Sequence, residues 1–349
     1  MPARSRGVLR RRLTDDVGNI ESHCAVKQSV ETVVDLTLPV AERLLIRRTR
    51  FSAEPGDELS LPRIAVVTGT HGDEVEGQLV CAWLASALRE GRWDVKGIVD
   101  IYPALNPLGL DTITRNMPPA DVDLNRTFDL DRNSHGSFLA PVTDGILDSL
   151  TGALAVVDVH ASNIFLREIP QVRISQANAE MLRPLARWLN VEFLWIHEAA
   201  TVLENTLAYS LNSRNTPTLV VEMGVGMRLT PAMAQDLVTG IGALATFLGI
   251  LGPDRSHPAI RAPMESDKGA IHHVNAQAAG LFVPEIGHRM SIKEGQILGS
   301  ILSAQTGETV ARIESPADAL VFTLREYPIV MEGSLIARLY EPSAIAEEE

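Results

Sequence analysis

The chain has 349 residues, a net charge of −13 and 45% apolar residues, which is the composition of a globular protein long enough for two domains. The acidic balance makes a nucleic acid or an anionic membrane an unfavourable partner, so neither is expected. The two cysteines, Cys24 and Cys81, form no disulfide framework and no metal-binding spacing, which predicts a reducing, cytoplasmic location.

Residues 1–30 are predicted to be a flexible N-terminal arm, because they are rich in arginine and lack the apolar core of a secretory signal. The β-branched runs 32–36 and 44–48 then predict two strands.

A short apolar run at 63–67 predicts a buried strand, and apolar residues at helical spacing predict a helix over 74–90. His71 and Glu74 lie on the glycine-flanked turn between them, which is where open α/β sheets place ligands. An imidazole nitrogen and a carboxylate oxygen three positions apart can both bind zinc. In the alternative interpretation, Glu74 complements the helix dipole and His71 is solvated.

A strand at 97–102 precedes a long, weakly periodic loop at 103–133. Loops of this length inside a compact domain are usually functional or disordered. Arg115 in this loop could stabilise a developing oxyanion, and Asn125 with Arg126 could hold a substrate carboxylate. Alternatively, these are solvated surface residues.

The strand predicted at 154–160 ends on His160, at the sheet edge where His71 is expected. As a third ligand, His160 would complete a two-histidine, one-glutamate zinc site with an open fourth position, the mark of a catalytic site. Zinc lowers the pKa of its water ligand to about 7 and polarises a carbonyl group. The alternative is a histidine satisfied within the core.

Helices at 177–189, 201–212 and 231–251 alternate with strands at 191–196 and 218–222. This alternation predicts an α/β fold with a doubly wound, mostly parallel sheet. Glu222 ends the last strand at the same sheet edge and is therefore a candidate general base. A solvated or arginine-paired carboxylate is the alternative.

From residue 256 helical periodicity disappears, and short apolar runs alternate with Gly- and Pro-bearing turns. The segments 290–298 and 328–336 resemble each other, which indicates a weak internal repeat. The predicted organisation is a zinc-hydrolase α/β domain at 31–255 followed by a smaller all-β domain at 256–345.

The ordered motifs HGDE, NPLG, DLNRTF, DVHAS and VEMG resemble the succinylglutamate desuccinylase/aspartoacylase family, over residues 60 to 345. The resemblance implies a zinc-carboxypeptidase type of sheet and one Zn2+ per chain. It also implies that the zinc ligands are His71, Glu74 and His160, that Glu222 is the general base and that Arg115 polarises the carbonyl group. Asn125 and Arg126 match the pair that binds the α-carboxylate of the substrate. The C-terminal turns resemble the barrel-sandwich fold of biotinyl and lipoyl domains, without their modified lysine.

The expected activity is hydrolysis of the amide bond of a small N-acyl amino acid or related metabolite. A metallocarboxypeptidase acting on short peptides is one alternative, and a non-catalytic scaffold that binds an acylated metabolite or a partner is another. The sequence leaves the acyl group, the amine and homo-oligomerisation open.

Overall fold

The computed structural model describes residues 26–53, 60–118, 120–128, 139–198 and 205–343. Most of the predicted N-terminal arm, residues 1–25, lies outside these ranges, as does the acidic C-terminal tail. The first strand already includes residues 27–30 of that arm.

Among the described residues, the first nine strands in chain order are β1 (Lys27–Thr37), β2 (Arg43–Ser52), β3 (Arg63–Thr68), β4 (Ile98–Tyr102), β5 (Ala155–Ala161), β6 (Leu166–Ser175), β7 (Phe193–His197), β8 (Thr218–Gly224) and β9 (Met264–Glu265). Strands β4, β3, β5 and β8 are adjacent in that order and parallel. The β1–β2 ribbon joins β4 antiparallel, and β6 pairs antiparallel with β8. The sheet predicted to be mostly parallel is therefore mixed, with a parallel centre. One reason is that the short β5–β6 connection cannot make the crossover that parallel strands require.

In the described ranges, six α-helices accompany the sheet: α1 (Glu76–Arg89), α2 (Pro107–Thr112), α3 (Ala140–Leu150), α4 (Ala179–Ala186), α5 (Leu207–Ser213) and α6 (Pro231–Phe247). Alternate residues of β3 pack into two different apolar cores, because successive side chains of a strand face opposite sides of the sheet. Ile64 and Val66 pack in a core with α1, α4 and α6, whereas Ala65 and Val67 pack with α3 and α5. Helices thus cover both faces of the sheet, as predicted. Within the described ranges, no helix is long and apolar enough to cross a membrane.

The C-terminal part is β-rich and contains β10 (Gly269–Asn275), β11 (Gly280–Pro284), β12 (Ser291–Ile292), β13 (Ile297–Leu302), β14 (Thr309–Glu314), β15 (Ala319–Arg325), β16 (Ile329–Val330) and β17 (Leu335–Pro342). The two similar segments form equivalent units, β12–β13 and β16–β17. Each unit joins a two-residue strand to a long one through a turn with a positive-φ glycine, Gly295 in one and Gly333 in the other.

The two parts of the chain share one sheet. Strand β15 pairs antiparallel with β6, and β17 and β10 continue the sheet beyond it. Ile169 and Phe193 from the first part pack with Phe322 and Tyr340 from the second. The domain limits at 31–255 and 256–345 remain a prediction, but the second part is joined to the first by backbone hydrogen bonds and a common apolar cluster.

Candidate functional site

The turn after β3 places two of the predicted metal ligands. His71 and Glu74 are 3% and 4% exposed. Helix α1 begins at Glu76 with Val75 as its N-cap, so Glu74 belongs to the turn and not to the helix. Glu74 is therefore oriented by the turn, and the helix-dipole interpretation does not describe it.

His160 reaches the same point from the neighbouring strand β5. The carboxylate of Glu74 lies between the two imidazole rings, with Oε1 2.7 Å from Nδ1 of His71 and Oε2 2.9 Å from Nδ1 of His160. One ligand atom from each of the three residues can be chosen so that all lie within 4.8 Å of one another. The predicted ligand set therefore converges.

The other ring nitrogen of each histidine faces an aspartate. Nε2 of His71 lies 3.0 Å from Oδ1 of Asp123, and Nε2 of His160 lies 3.2 Å from Oδ2 of Asp158. In metal sites, a carboxylate behind a histidine fixes the ring and increases its basicity. Asp123 and Asp158 are placed for this supporting role.

The carboxylates make this site favourable for positive charge. Burial opposes protonation of His71, but its contacts with Asp123 and Glu74 raise its pKa. Burial likewise opposes protonation of His160, whose pKa the carboxylates of Asp158 and Glu74 raise well above its usual value. Burial alone would raise the pKa of Glu74, yet the two histidines lower it.

A divalent cation fits this environment. Three carboxylates, those of Glu74, Asp123 and Asp158, contact the histidines, and Arg115 is the cation that contacts two of these acids. Among the described residues, Nδ1 of His71 is buried without a hydrogen-bond partner despite its closeness to Glu74. Two nitrogens and a carboxylate suit zinc, and three protein ligands leave a position open.

Glycine packing sets the position of the loop that carries Arg115. A Cβ atom on Gly72 would lie 2.0 Å from the carbonyl carbon of Gly109, so only glycine allows the two backbones to approach. The Gly72 amide donates a 3.0 Å hydrogen bond to the carbonyl of Thr114. The adjacent Arg115 then donates from Nη1 to Oε1 of Glu74 at 2.9 Å, which places its guanidinium at the candidate metal site.

Asn125 and Arg126 lie on a 3-10 turn, Leu124–Arg126, capped by Asp123. The side-chain oxygen of Asn125 accepts a 3.0 Å hydrogen bond from the amide of Leu207, which ties this turn to the start of α5. Arg126 donates to the Asn125 carbonyl at 2.9 Å. Within the described part of the chain, its guanidinium forms no ion pair with a carboxylate, which leaves its charge available for a ligand.

Glu222 on β8 is the register partner of His160 on β5. Its Oε1 lies 3.1 Å from Nη1 of Arg173. Burial raises the pKa of Glu222 to about 7, with Glu168 adding to this effect and Arg173 opposing it. A carboxyl group with a pKa near neutrality can both accept and donate a proton.

All seven predicted site residues line one cavity of about 1090 Å3. Its wall also includes Arg173 and Trp195 from the sheet and Arg338 from β17 of the C-terminal part. Arg167 does not line it and pairs with Glu326 at 3.0 Å. Arg173 is paired with Glu168 and Glu222.

Several residues of the site were not assigned a role from the sequence. Asp158 stands two positions before His160 on the same strand face, so a period of two could have indicated it. Asp123 lies within the DLNRTF motif without an assigned role. Glu168 and Arg338 are far apart in the chain and meet only because β6 and β17 flank β15.

The sequence matches a known family model. Residues 60–248 match the family model described as the succinylglutamate desuccinylase/aspartoacylase catalytic domain. Among proteins whose functions have been curated, none matches the sequence.

Solved structures share the fold over nearly the whole chain. The product-bound ectoine utilization protein EutE of Ruegeria pomeroyi is 18% identical with a TM-score of 0.72, covering 90% of this chain and 94% of its own. A succinylglutamate desuccinylase/aspartoacylase of Rhodobacter sphaeroides is 21% identical with a TM-score of 0.70, covering 91% and 96%. A succinylglutamate desuccinylase from a Silicibacter species is 20% identical with a TM-score of 0.72, covering 90% and 95%. At these identities the similarity shows the fold alone.

Proposed function

Because this chain belongs to the succinylglutamate desuccinylase/aspartoacylase family, we propose that it is a zinc-dependent amidohydrolase. Its substrate is a small N-acyl amino acid or a related N-acylated metabolite, from which it removes the acyl group. The observation that carries this proposal is the convergence of His71, Glu74 and His160 in a cavity whose wall also holds Arg126.

His71, Glu74 and His160 hold the zinc ion in this proposal. When bound there, zinc supplies Lewis acidity and lowers the pKa of a water molecule to about 7. Asp123 and Asp158 orient the two histidines from behind.

Glu222 is the general base and acid. It accepts a proton from the attacking water and returns one to the leaving amine, which its pKa of about 7 suits at neutral pH. Arg115 polarises the substrate carbonyl, and its guanidinium stands beside Glu74 for this role.

Asn125 and Arg126 bind the carboxylate next to the scissile amide. The guanidinium fork matches a carboxylate in geometry, and within the described residues it forms no ion pair at contact distance. A substrate carboxylate is therefore the expected partner of Arg126.

The two alternatives are less well supported. A scaffold without activity has no need of a general base beside a complete ligand set, yet Glu222 lies next to His160. A peptidase needs an open cleft, whereas the wall of this cavity includes Arg338 of the C-terminal part and Phe165 of the β5–β6 loop. We retain the cytoplasmic location from the cysteine content of the sequence.

The test combines metal analysis with a substrate panel. Purified protein should contain about one equivalent of zinc and hydrolyse at least one member of a panel of N-acyl amino acids. Arg126→Ala should then lower kcat/KM for that acid roughly 100-fold, because a charge-assisted contact is lost. This ratio corresponds to a loss of about 3 kcal/mol in transition-state stabilisation.

The matching methyl ester is the control substrate, and Arg312→Ala, an exposed arginine on β14, is the control variant. Arg126→Ala should lower kcat/KM only slightly for the ester, and Arg312→Ala should change kcat/KM for neither substrate. Equal losses for acid and ester would assign Arg126 to the fold and contradict its proposed role. A metal-free protein that still hydrolyses the panel would contradict the zinc mechanism.

A further inference from the structure

We propose that Arg338 on the C-terminal strand β17 is a positioning residue for Glu222, acting through Glu168 and Arg173. This inference rests on the proposed function, because it assigns a support to the proposed general base. It gives the C-terminal part of the chain a defined contribution to the reaction.

A continuous series of ion pairs connects the two residues. Nη1 of Arg338 lies 2.7 Å from Oε1 of Glu168. Nη2 of Arg173 lies 3.0 and 2.9 Å from the two carboxylate oxygens of Glu168. Nη1 of the same guanidinium lies 3.1 Å from Oε1 of Glu222. Arg173 thus bridges the two acids, and Arg338 neutralises the first of them.

Sheet register fixes this arrangement. Thr323 on β15 is the register partner of both Glu168 on β6 and Arg338 on β17. The three residues therefore lie in one row across adjacent strands, and their positions depend on the backbone hydrogen bonds of the shared sheet. The shared sheet thus holds Arg338, a residue of the C-terminal part, at the cavity wall.

Charge balance explains why Arg338 matters to Glu222. The Glu168 side chain is 1% exposed, and a buried carboxylate needs cationic partners. Two arginines share it in the wild-type chain. Without Arg338, Arg173 becomes the sole cation for Glu168 among these contacts and is drawn towards it, which weakens or displaces its contact with Glu222.

Trp195 restrains both guanidinium groups. Arg173 lies 5.4 Å and Arg338 5.1 Å from the centroid of the Trp195 ring. Each contact adds a cation–π attraction and limits the rotamers that the arginine can adopt. The orientation of Arg173, and hence of the Glu222 carboxylate, is set by packing as well as by charge.

The experiment compares Arg338→Gln, Arg338→Lys and the exposed control Arg312→Gln in the full-length, zinc-loaded enzyme, with the active N-acyl amino acid as substrate. Arg338→Gln should lower kcat about tenfold and change KM by less than about twofold, because the base is misplaced while substrate contacts remain. Arg338→Lys should recover part of the loss, since the charge returns without the planar fork. Arg312→Gln should match the wild type.

A double-mutant cycle with Glu222→Gln separates positioning from general stability. If Arg338 acts through the Glu222 carboxylate, Arg338→Gln should cost less than about twofold in kcat once Glu222 is Gln. A purely structural role would lower activity equally in both backgrounds and would overturn the proposal. An Arg338→Gln enzyme equal to Arg312→Gln would also overturn it.

The two proposals fail in distinguishable ways. A Glu222→Gln enzyme with full metal content and full activity would remove the general base and overturn both. A severe loss in Glu222→Gln, combined with equal Arg338→Gln losses in the two backgrounds, would overturn the positioning role alone. If Arg338→Gln does not fold, Arg338→Lys carries the same comparison.

Discussion

Each histidine of the candidate metal site directs one ring nitrogen towards Glu74 and the other towards an aspartate. His71 uses Asp123 from the loop, and His160 uses Asp158 from its own strand. The second pairing is local in the sequence, because residues two apart in a strand share a face. One strand, β5, therefore supplies both His160 of the candidate metal site and the aspartate that supports it.

Replacing Asp158 tests this support. Asp158→Asn keeps the size of the side chain but removes the negative charge beside His160, so zinc affinity should fall by about 10- to 100-fold. Chelator competition measures this affinity directly. Asp148→Asn, an exposed position on α3, is the matched control. Equal zinc affinities in the two variants would contradict the assigned role of Asp158.

His288 is a half-buried histidine outside the candidate site. Burial, followed by the nearby Arg289 and Arg167, lowers its pKa from 6.5 to about 4, and Glu326 opposes this shift. As the pH falls from about 6.5 to about 4, the unfolded chain binds a proton that the folded chain does not. The free energy of unfolding should therefore decrease through this window, by up to about 3 kcal/mol from this residue.

Urea unfolding of the wild type and His288→Gln between about pH 7 and about pH 4 isolates this contribution, because other titrating groups are common to both proteins. The stability advantage of the wild type over the variant should shrink as the pH falls. A difference that stays constant with pH would show that His288 does not carry this dependence.

At the scale of elements, the sequence predicts what local pattern specifies. The apolar run before His71 and the run ending on His160 correspond to β3 and β5, and the strand predicted at 218–222 corresponds to β8. The predicted helix at 231–251 corresponds to α6. Motif spacing likewise selected His71, Glu74 and His160, and the fold brings these three residues together.

Strand β6 and helix α3 are among the elements that escaped prediction, for physical reasons. Strand β6 contains Pro170 and the buried polar residues Glu168 and Gln171, and its register shifts between these two residues. An irregular strand with polar burial lacks the period of two that marks ordinary strands. Helix α3 contains Gly145, which lowers helix propensity. A Cβ there would lie 2.8 Å from a methyl of Val34, so tertiary packing against β1 requires the glycine.

At the scale of the whole molecule, the change in sequence character near residue 256 marks a real change in structure but not a break in the sheet. The turn-rich composition correctly predicts a β-rich second part. Pairing between β6 and β15 is non-local, and no local pattern encodes it. The ion pairs from Arg338 to Glu222 could not be predicted from the sequence for the same reason.

The shared sheet makes a prediction about truncation. A chain that ends near residue 253 loses β9, β15 and β17, which leaves the edges of β6 and β7 unpaired and uncovers Ile169 and Phe193. Exposed strand edges beside apolar surface favour aggregation. The truncated protein should therefore be poorly soluble, or unfold at a much lower temperature than the full chain.

A single substitution tests the same coupling without removing any chain. Phe322 is 0% exposed, and its ring centroid lies 4.9 Å from that of Phe193 across the junction. Phe322→Ala should lower the free energy of unfolding by about 3 to 5 kcal/mol while the chain still unfolds in one cooperative transition. Val310 on β14 is 48% exposed, and Val310→Ala should change the free energy of unfolding by less than about 0.5 kcal/mol.

If the truncated chain stays soluble with the melting temperature of the full protein, and Phe322→Ala produces two separate transitions, the parts fold independently. In that case the α/β part would keep its fold without the C-terminal part, and deletion of the C-terminal part, with Arg338, would measure its effect on kcat directly.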